Sequence, residues 1–456
     1  MTQDRIQSPS PQKDIQLLSQ PGQPLLGKAV VPGDKSISHR SLMLAAVATG
    51  TSRITGLLEG EDVLATAAAM RQMGADINRD EDGCWTVKGV GPSGLRTPVD
   101  IIDMGNSGTS TRLIMGLIAS QPITATITGD DSLRGRPMGR VIKPLEQLGA
   151  KITATQVGDQ TGRLPLTIQG ALMPVPLDYT SPVASAQVKS CVLLSGLNTR
   201  GTTRLRESIA TRDHTERMLS AMGADIHSTT MDDGSLQVDL TGPAKLRAID
   251  ITVPGDISSA AFLLVAASII PDSDLTLTGV GINPLRTGII HALRQMGADI
   301  TLMDKRDIGG EPVADIHVKY SPLHAVDGLT VDPSTMIDEF PVLFSAAATA
   351  TGVSTFRGLK ELRVKESDRL HVMATGLKAC GVEIEELDDG LRITGNSGKV
   401  KGGGVIKSHL DHRIAMSFAI LGQMAENPIT IDDASPINTS FPGFKNLLNS
   451  MGANLS

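Results

Sequence analysis

The chain has 456 residues, 20% of them charged and 40% hydrophobic, enough for two or more domains with buried cores. Forty-two Lys and Arg against 49 Asp and Glu leave a net charge of −7, which argues against a nucleic-acid binder and makes any anion site a local gathering of basic residues. Seven Phe, two Tyr and one Trp are too few for base-stacking platforms or sugar-stacking clefts.

Residues 1–20 are polar, contain Pro and Ser and lack an apolar core of signal-peptide length, so a flexible tail is expected. No apolar run approaches the ~18 residues of a membrane span, and no membrane association is expected. Cys84, Cys191 and Cys380 are isolated and odd in number. That pattern disfavours a disulfide framework or a zinc site and fits a reducing cytoplasm, the expected location.

The first ordered stretch, Val31-Pro-Gly-Asp-Lys-Ser-Ile-Ser-His-Arg40-Ser41, reads as a strand, a Pro-Gly break and a polar cluster before an apolar run. Lys35, Ser36 and Arg40 at a helix N-terminus would form an anion seat, because unpaired N–H groups and the helix dipole favour negative charge there. A capped surface helix with solvated charges is the plainer alternative.

One phrase then recurs: a helix end, a glycine and a strand. Its glycines are Gly74, Gly149, Gly223, Gly297, Gly381 and Gly452, spaced by 75, 74, 74, 84 and 71 residues. Each stands where a helix C-terminus needs a left-handed residue. The repeating unit reads β-α-β-α-β-β. In the first copy the expected strands are 28–31, 52–57, 75–78 and 84–89, with helices over 40–48 and 62–73.

A longer period lies above this one. Val31-Pro-Gly-Asp34 returns as Val253-Pro-Gly-Asp256, an offset of 222 residues or three units of 74. The expected fold is α/β with two domains of three units each. Residues 34–252 form the first, and 21–33 with 253–456 the second. The two Pro-Gly crossings make a double-stranded hinge beside the ligand cleft. Duplication supplies an internal control: Ile257 stands where Lys35 does and Phe262 where Arg40 does, while Ser36 keeps its serine as Ser258. The scaffold does not require the two charges, which favours a function for them.

Further clusters follow at other helix starts. Gly105-Asn-Ser-Gly-Thr-Ser-Thr-Arg112 is either a plain capped helix or a loop open to an anion. In Arg134-Gly-Arg136-Pro137, the proline at a helix N1 position would aim Arg136 from that helix. Ser185-Ala186-Gln187 precedes Arg212-Asp213-His214-Thr-Glu216, where Asp213 and Glu216 resemble a capping box. Asp338 and Glu339, just before Pro341, are N-caps or a partly buried acid/base. In Lys365-Glu366-Ser367-Asp368-Arg369, a cap at Asp368 or Ser367 leaves Glu366 free for proton transfer among cations. His409 and His412 are spaced for a metal, but no third ligand accompanies them, so ordinary helix-start contacts are preferred. Gly89-Val-Gly-Pro-Ser-Gly94 lacks the helix a dinucleotide motif needs, and neither a complete Walker loop nor a G-x-S-x-G elbow occurs.

From about residue 25 to the C-terminus these phrases resemble the enolpyruvyl transferases, in the branch that acts on shikimate 3-phosphate. The most specific are Gly33–Arg40, Gly105–Arg112, Arg136-Pro-Met, Ser185-Ala-Gln187, Leu362–Arg369 and Asp411-His-Arg413. The resemblance implies an inside-out α/β barrel in each half. It also implies transfer of the enolpyruvyl group of phosphoenolpyruvate to the 5-hydroxyl of shikimate 3-phosphate, releasing phosphate, as a monomer without metal or cofactor, in aromatic amino-acid biosynthesis.

By the same resemblance Lys35, Ser36, Arg40, Ser185, Ala186, Gln187, Arg212, Asp338 and Lys365 hold shikimate 3-phosphate. Lys35, Asn106, Gly108, Arg136, Gln187, Arg369 and Arg413 hold phosphoenolpyruvate. Asp338 accepts the hydroxyl proton, and Glu366, with Lys35, protonates the methylene. Ser107, Ala186 and Thr439 depart from the commoner Ala, Ser and preceding lysine, which points to a divergent bacterial subgroup. Gly108 leaves room for glyphosate, so inhibition is expected. The rival readings are an enolpyruvyl transferase acting on UDP-N-acetylglucosamine, disfavoured because no Cys lies between Cys84 and Cys191, and a non-catalytic binder of anionic metabolites, disfavoured by Asp338 and Glu366.

Overall fold

The computed structural model describes residues 15–157 and 160–456. Six long helices carry the core: Lys35–Val47, Gly108–Ala119, Ala186–Gly196, Ile257–Ile269, Phe340–Thr349 and His412–Gly422. They are buried on nearly every face, as their Ala-, Leu- and Ile-rich sequences require. Six further helices are buried on one side only and end at the repeated glycines: Glu61–Gln72, Gly139–Leu148, His214–Ala221, Gly288–Gln295, Arg369–Ala379 and Phe444–Met451. Gly74, Gly149, Gly223, Gly297, Gly381 and Gly452 all have positive φ, between 78° and 128°, the conformation inferred from their spacing.

Each unit contributes a small sheet over its helices. The second is ordered Ile102–Asp103, Thr124–Thr128, Gln160–Gln169, Lys151–Val157, parallel at the first pairing and antiparallel after it. The sheets remain separate, with helices inside and strands outside, and no closed strand barrel forms among the described residues. Two buried clusters result. One runs from Ile37 to Val253; the other joins Leu17, Leu25, Ala29 and Val31 to the residues from Ile257 to Leu455.

The strands next to the hinge change places. The strand read over 28–31 as the start of the first unit is Leu26–Ala29, and this stretch, placed with the second domain, pairs in parallel with Asp274–Gly281 in the fourth unit's sheet. The first sheet is completed by Ile251–Thr252, parallel to Thr51–Thr55. Each crossing therefore leaves its strand with the other half. Gly33 and Gly255 pair at the crossing, where Asp34 N–H donates to Pro254 O and Asp256 N–H to Pro32 O, both at 2.8 Å. A Cβ at Gly33 would lie 1.9 Å from Gly56 O, so only glycine fits that close approach.

Local differences have physical causes. The first helix begins at Lys35 rather than Arg40, because Asp34 accepts from Ile37 N–H at 2.8 Å and caps it there. The tail expected over 1–20 is corrected at its end. Leu17–Gln20 is a strand between Ile429–Ile431 and Asn454–Leu455, antiparallel to both, with Leu17 buried. Residues 1–14 of that tail lie outside the described residues. Among the described residues no helix is long and apolar enough to cross a membrane.

Candidate active site

The N-terminal ends of all six core helices open onto one cleft of about 710 Å³. Lys35 and Ser36, Gly108 and Thr109, Ser185 to Val188, Asp256 and Ser258, Asp338, and His412 with Arg413 line it. Six sets of helix-end N–H groups thus face one space, an arrangement suited to anions. Nine cationic side chains and six carboxylates line the cleft, so it is locally positive within a chain of net charge −7.

Most caps are the hydroxyl or carboxylate that the sequence offers. Asp34, Ser107, Ser185, Asp256 and Asp411 each accept a backbone N–H of the following turn. Glu339 occupies the cap position of the fifth helix without capping it. The neighbouring Asp338 turns instead into a cluster of cations: Arg212 Nη2 at 2.5 Å, Arg369 Nη1 at 3.3 Å and Lys365 Nζ at 3.5 Å. Asp338 is therefore no cap but a largely buried carboxylate set among cations.

Arg369 is fully buried and organises the second half of the site. Its Nε donates to Asp411 at 2.8 Å, its Nη1 faces Asp338, and its Nη2 reaches Glu366 Oε2 at 2.6 Å. Asp368 caps its helix through His371 N–H, so the Glu366 carboxylate is not used as a cap and pairs with Arg369 instead. Burial alone would raise both acids. For Asp338, Lys365, Arg212, Arg413 and Arg369 outweigh burial and hold the carboxyl well below the usual range. For Glu366, Arg369 and Arg136 do the same.

The first half supplies Lys35, whose Nζ pairs with Asp62 at 2.9 Å, and Arg136, which lies 3.8 Å from Glu366 across the cleft. Arg136 donates to Asn106 O at 3.2 Å and to Asn106 Oδ1 at 2.5 Å. Gln187 is gripped from both ends: its Oε1 accepts from Arg112 at 2.5 Å and its Nε2 donates to Thr109 Oγ1 at 2.9 Å. Arg413 donates to Asp338 O at 2.9 Å.

The cleft therefore brings together every expected site residue except Arg40. Arg40 lies beneath the floor, 3% exposed, donating to Ser36 O, Ser190 Oγ and Thr215 Oγ1. Two other expectations are corrected. Arg136 caps the C-terminus of a short helix, Asp131–Gly135, and Pro137 stands two residues before the next helix rather than at its N1 position. Asp213 and Glu216 form no capping box: Asp213 takes Arg217 and Asn283, and Glu216 takes buried Lys189.

Sequence reasoning passed over Asp62, Thr109, Arg112, Arg140, Arg286 and the lining role of His412. Arg112 and His412 stood inside phrases already singled out. Asp62 and Arg286 lie in stretches without a motif and reach the cleft only through tertiary packing.

Two three-unit halves that aim six helix N-termini and paired acids into a cationic cleft define the enolpyruvyl transferase architecture. The family model for EPSP synthase (3-phosphoshikimate 1-carboxyvinyltransferase) matches residues 19–448. The chain belongs to that family. A 3-phosphoshikimate 1-carboxyvinyltransferase of Sphingopyxis alaskensis is 58% identical over 429 residues, 93% of this chain and 96% of its own. One of Zymomonas mobilis is 56% identical over 444 residues, 96% of each chain. The crystal structure of EPSP synthase from Acinetobacter baumannii superposes with a TM-score of 0.85 at 47% identity, covering 97% of this chain and 99% of that one.

Proposed function

We infer that the protein transfers the enolpyruvyl group of phosphoenolpyruvate to the 5-hydroxyl of shikimate 3-phosphate, releasing phosphate, in the shikimate route to the aromatic amino acids. The observation that carries this reading is the placing of Asp338 and Glu366 on the two terminal nitrogens of Arg369, among cations. A binder of anions gains nothing from two carboxylates there. A carboxyvinyl transfer needs one group to take a proton from the acceptor hydroxyl and one to protonate the methylene carbon.

In this reading Lys35, Ser36, Ser185, Ala186, Gln187, Arg212, Asp338 and Lys365 hold shikimate 3-phosphate, with Arg40 supporting Ser36 from below. Lys35, Asn106, Gly108, Arg136, Gln187, Arg369 and Arg413 hold phosphoenolpyruvate. Asp338, held ionised by Lys365 and Arg212, is a base placed for the hydroxyl proton.

Glu366 must instead deliver a proton, although Arg369 and Arg136 hold its carboxyl well below the usual range. The same arginines are the ones assigned to phosphoenolpyruvate. Its phosphate and carboxylate would occupy them, weaken their pull on Glu366 and add negative charge beside it, and each effect raises the carboxyl's proton affinity. Substrate binding would thereby arm the acid. Proton addition to the methylene and attack of the hydroxyl oxygen give a tetrahedral adduct; loss of phosphate and of a methyl proton then gives the enol ether.

The test is phosphate release with both substrates present. Wild-type protein should release phosphate only when both are supplied, and Glu366→Gln should slow it by about 10²–10⁴-fold, the usual contribution of a general acid. No release from wild type, or a loss below tenfold in the variant, would overturn the assignment.

A further inference from the structure

Arg286 takes no part in the chemistry assigned above, yet it is 3% exposed and sits where the two halves join. It lies in the turn before Gly288–Gln295. Its Nη1 is 3.1 Å from Asp34 Oδ2, and its Nη2 is 3.3 Å from Asp256 Oδ1 and 2.7 Å from Ser258 Oγ. Asp34 and Asp256 are the equivalent residues of the two hinge crossings, and each caps the core helix that follows it. One guanidinium therefore bridges the same carboxylate from both halves of a duplicated chain.

Its connections continue to the residues that handle substrate. Asp256 Oδ2 accepts Lys35 N–H at 3.2 Å, so a carboxylate of one half also holds the first turn of the other half's helix. Ser258, which accepts from Arg286, donates to buried Glu339, and Glu339 lies 3.6 Å from Arg413 Nη1. Lys35 and Arg413 stand on opposite halves, and both are tied to Arg286 through a single residue or two. Desolvating an arginine and two carboxylates is costly, and a buried pair of this kind is retained more readily for geometry than for stability. Without the guanidinium the two aspartates would face each other unscreened.

We propose that Arg286 is a positioning residue for the transfer reaction: it fixes the angle between the halves, and so the placing of Lys35 against Arg413. This rests on the functional reading of those two residues. A displacement of about 1 Å at the reacting groups costs on the order of 10²-fold in rate.

The experiment uses the full chain, with phosphate release measured at saturating substrates and well below each variant's own melting temperature, so that the folded fraction does not enter. Wild-type turnover is the control; its absence would sink the functional reading, whereas its presence leaves only the role of Arg286 at stake. Arg286→Ala should fold, lose about 10²-fold in kcat, and regain about tenfold or more when guanidinium ion is added at non-denaturing concentration to refill the vacated site. A kcat within twofold of wild type overturns the proposal, and so does a slow variant that guanidinium leaves unchanged. Should Arg286→Ala not fold, Arg286→Lys decides, because it keeps the charge but loses the fork that reaches both carboxylates. A loss of about tenfold or more supports the role, and any smaller loss overturns it.

Discussion

Arg212 and Asp338 meet across the cleft at 2.5 Å, each from a different half of the chain and 126 positions apart. Arg212 is thus, with Lys365, one of the cations that keep Asp338 ionised. Arg212→Gln should raise the KM for shikimate 3-phosphate at least tenfold through the lost phosphate contact. Asp338→Asn should lower kcat by about 10²–10⁴-fold, since the amide cannot take the hydroxyl proton. Steady-state kinetics with each substrate varied in turn separates the two effects, and equal losses in kcat from both variants would contradict the division of roles.

Lys35→Met should abolish substrate binding and turnover while leaving the fold intact. The equivalent position on the second hinge helix is Ile257, which is buried in the core, so an apolar side chain is compatible with that backbone. Circular dichroism checks the fold and calorimetric titration with shikimate 3-phosphate checks the binding. An unfolded Lys35→Met would undo the argument from duplication.

Gly108 begins the second core helix, and a Cβ there would lie 3.3 Å from Nη1 of both Arg112 and Arg136. Gly108→Ala should push these flexible tips aside, raising the KM for phosphoenolpyruvate severalfold and weakening inhibition by glyphosate, which is expected to occupy the same place. Inhibition constants of wild type and variant provide the measurement. Wild-type insensitivity to glyphosate at concentrations near the phosphoenolpyruvate KM would refute the expectation of inhibition.

Stability should fall as pH drops below about 6.5, the ordinary value for histidine. His39 and His412 are both buried, and burial, then the positive charge of Lys35, hold each well below that value. The folded state therefore keeps them neutral while the unfolded chain protonates them. Their contribution is complete above the unfolded value and is lost as pH falls from there towards the folded one. Melting temperatures between pH 8 and pH 5 test this, and His412→Gln should flatten the slope. An unchanged slope in the variant would contradict it.

Much of the architecture is legible in the chain because it is periodic. Six glycines at nearly even spacing mark helix ends that need positive φ, a local requirement that no distant contact can replace. The return of Val-Pro-Gly-Asp at residue 253 marks the duplication, and the charges missing from its second copy single out Lys35. Five of the six caps are Ser or Asp residues at helix starts, again a local preference, although the sequence places the start of the first helix at Arg40 and does not single out its cap at Asp34.

What tertiary structure alone decides is which charges meet. Whether Asp338 caps a helix or faces Arg212, Lys365 and Arg369 depends on side chains 27 to 126 positions away. Arg40 shares a phrase with Lys35, but the five-residue step along the helix rotates it under the floor instead of into the cleft. The single arginine that bridges both crossings leaves no local pattern. Sequence by itself set the repeat, the turns and the candidate cations; only packing could set the distances between them, because electrostatic and hydrogen-bonding partners are chosen in space and not along the chain.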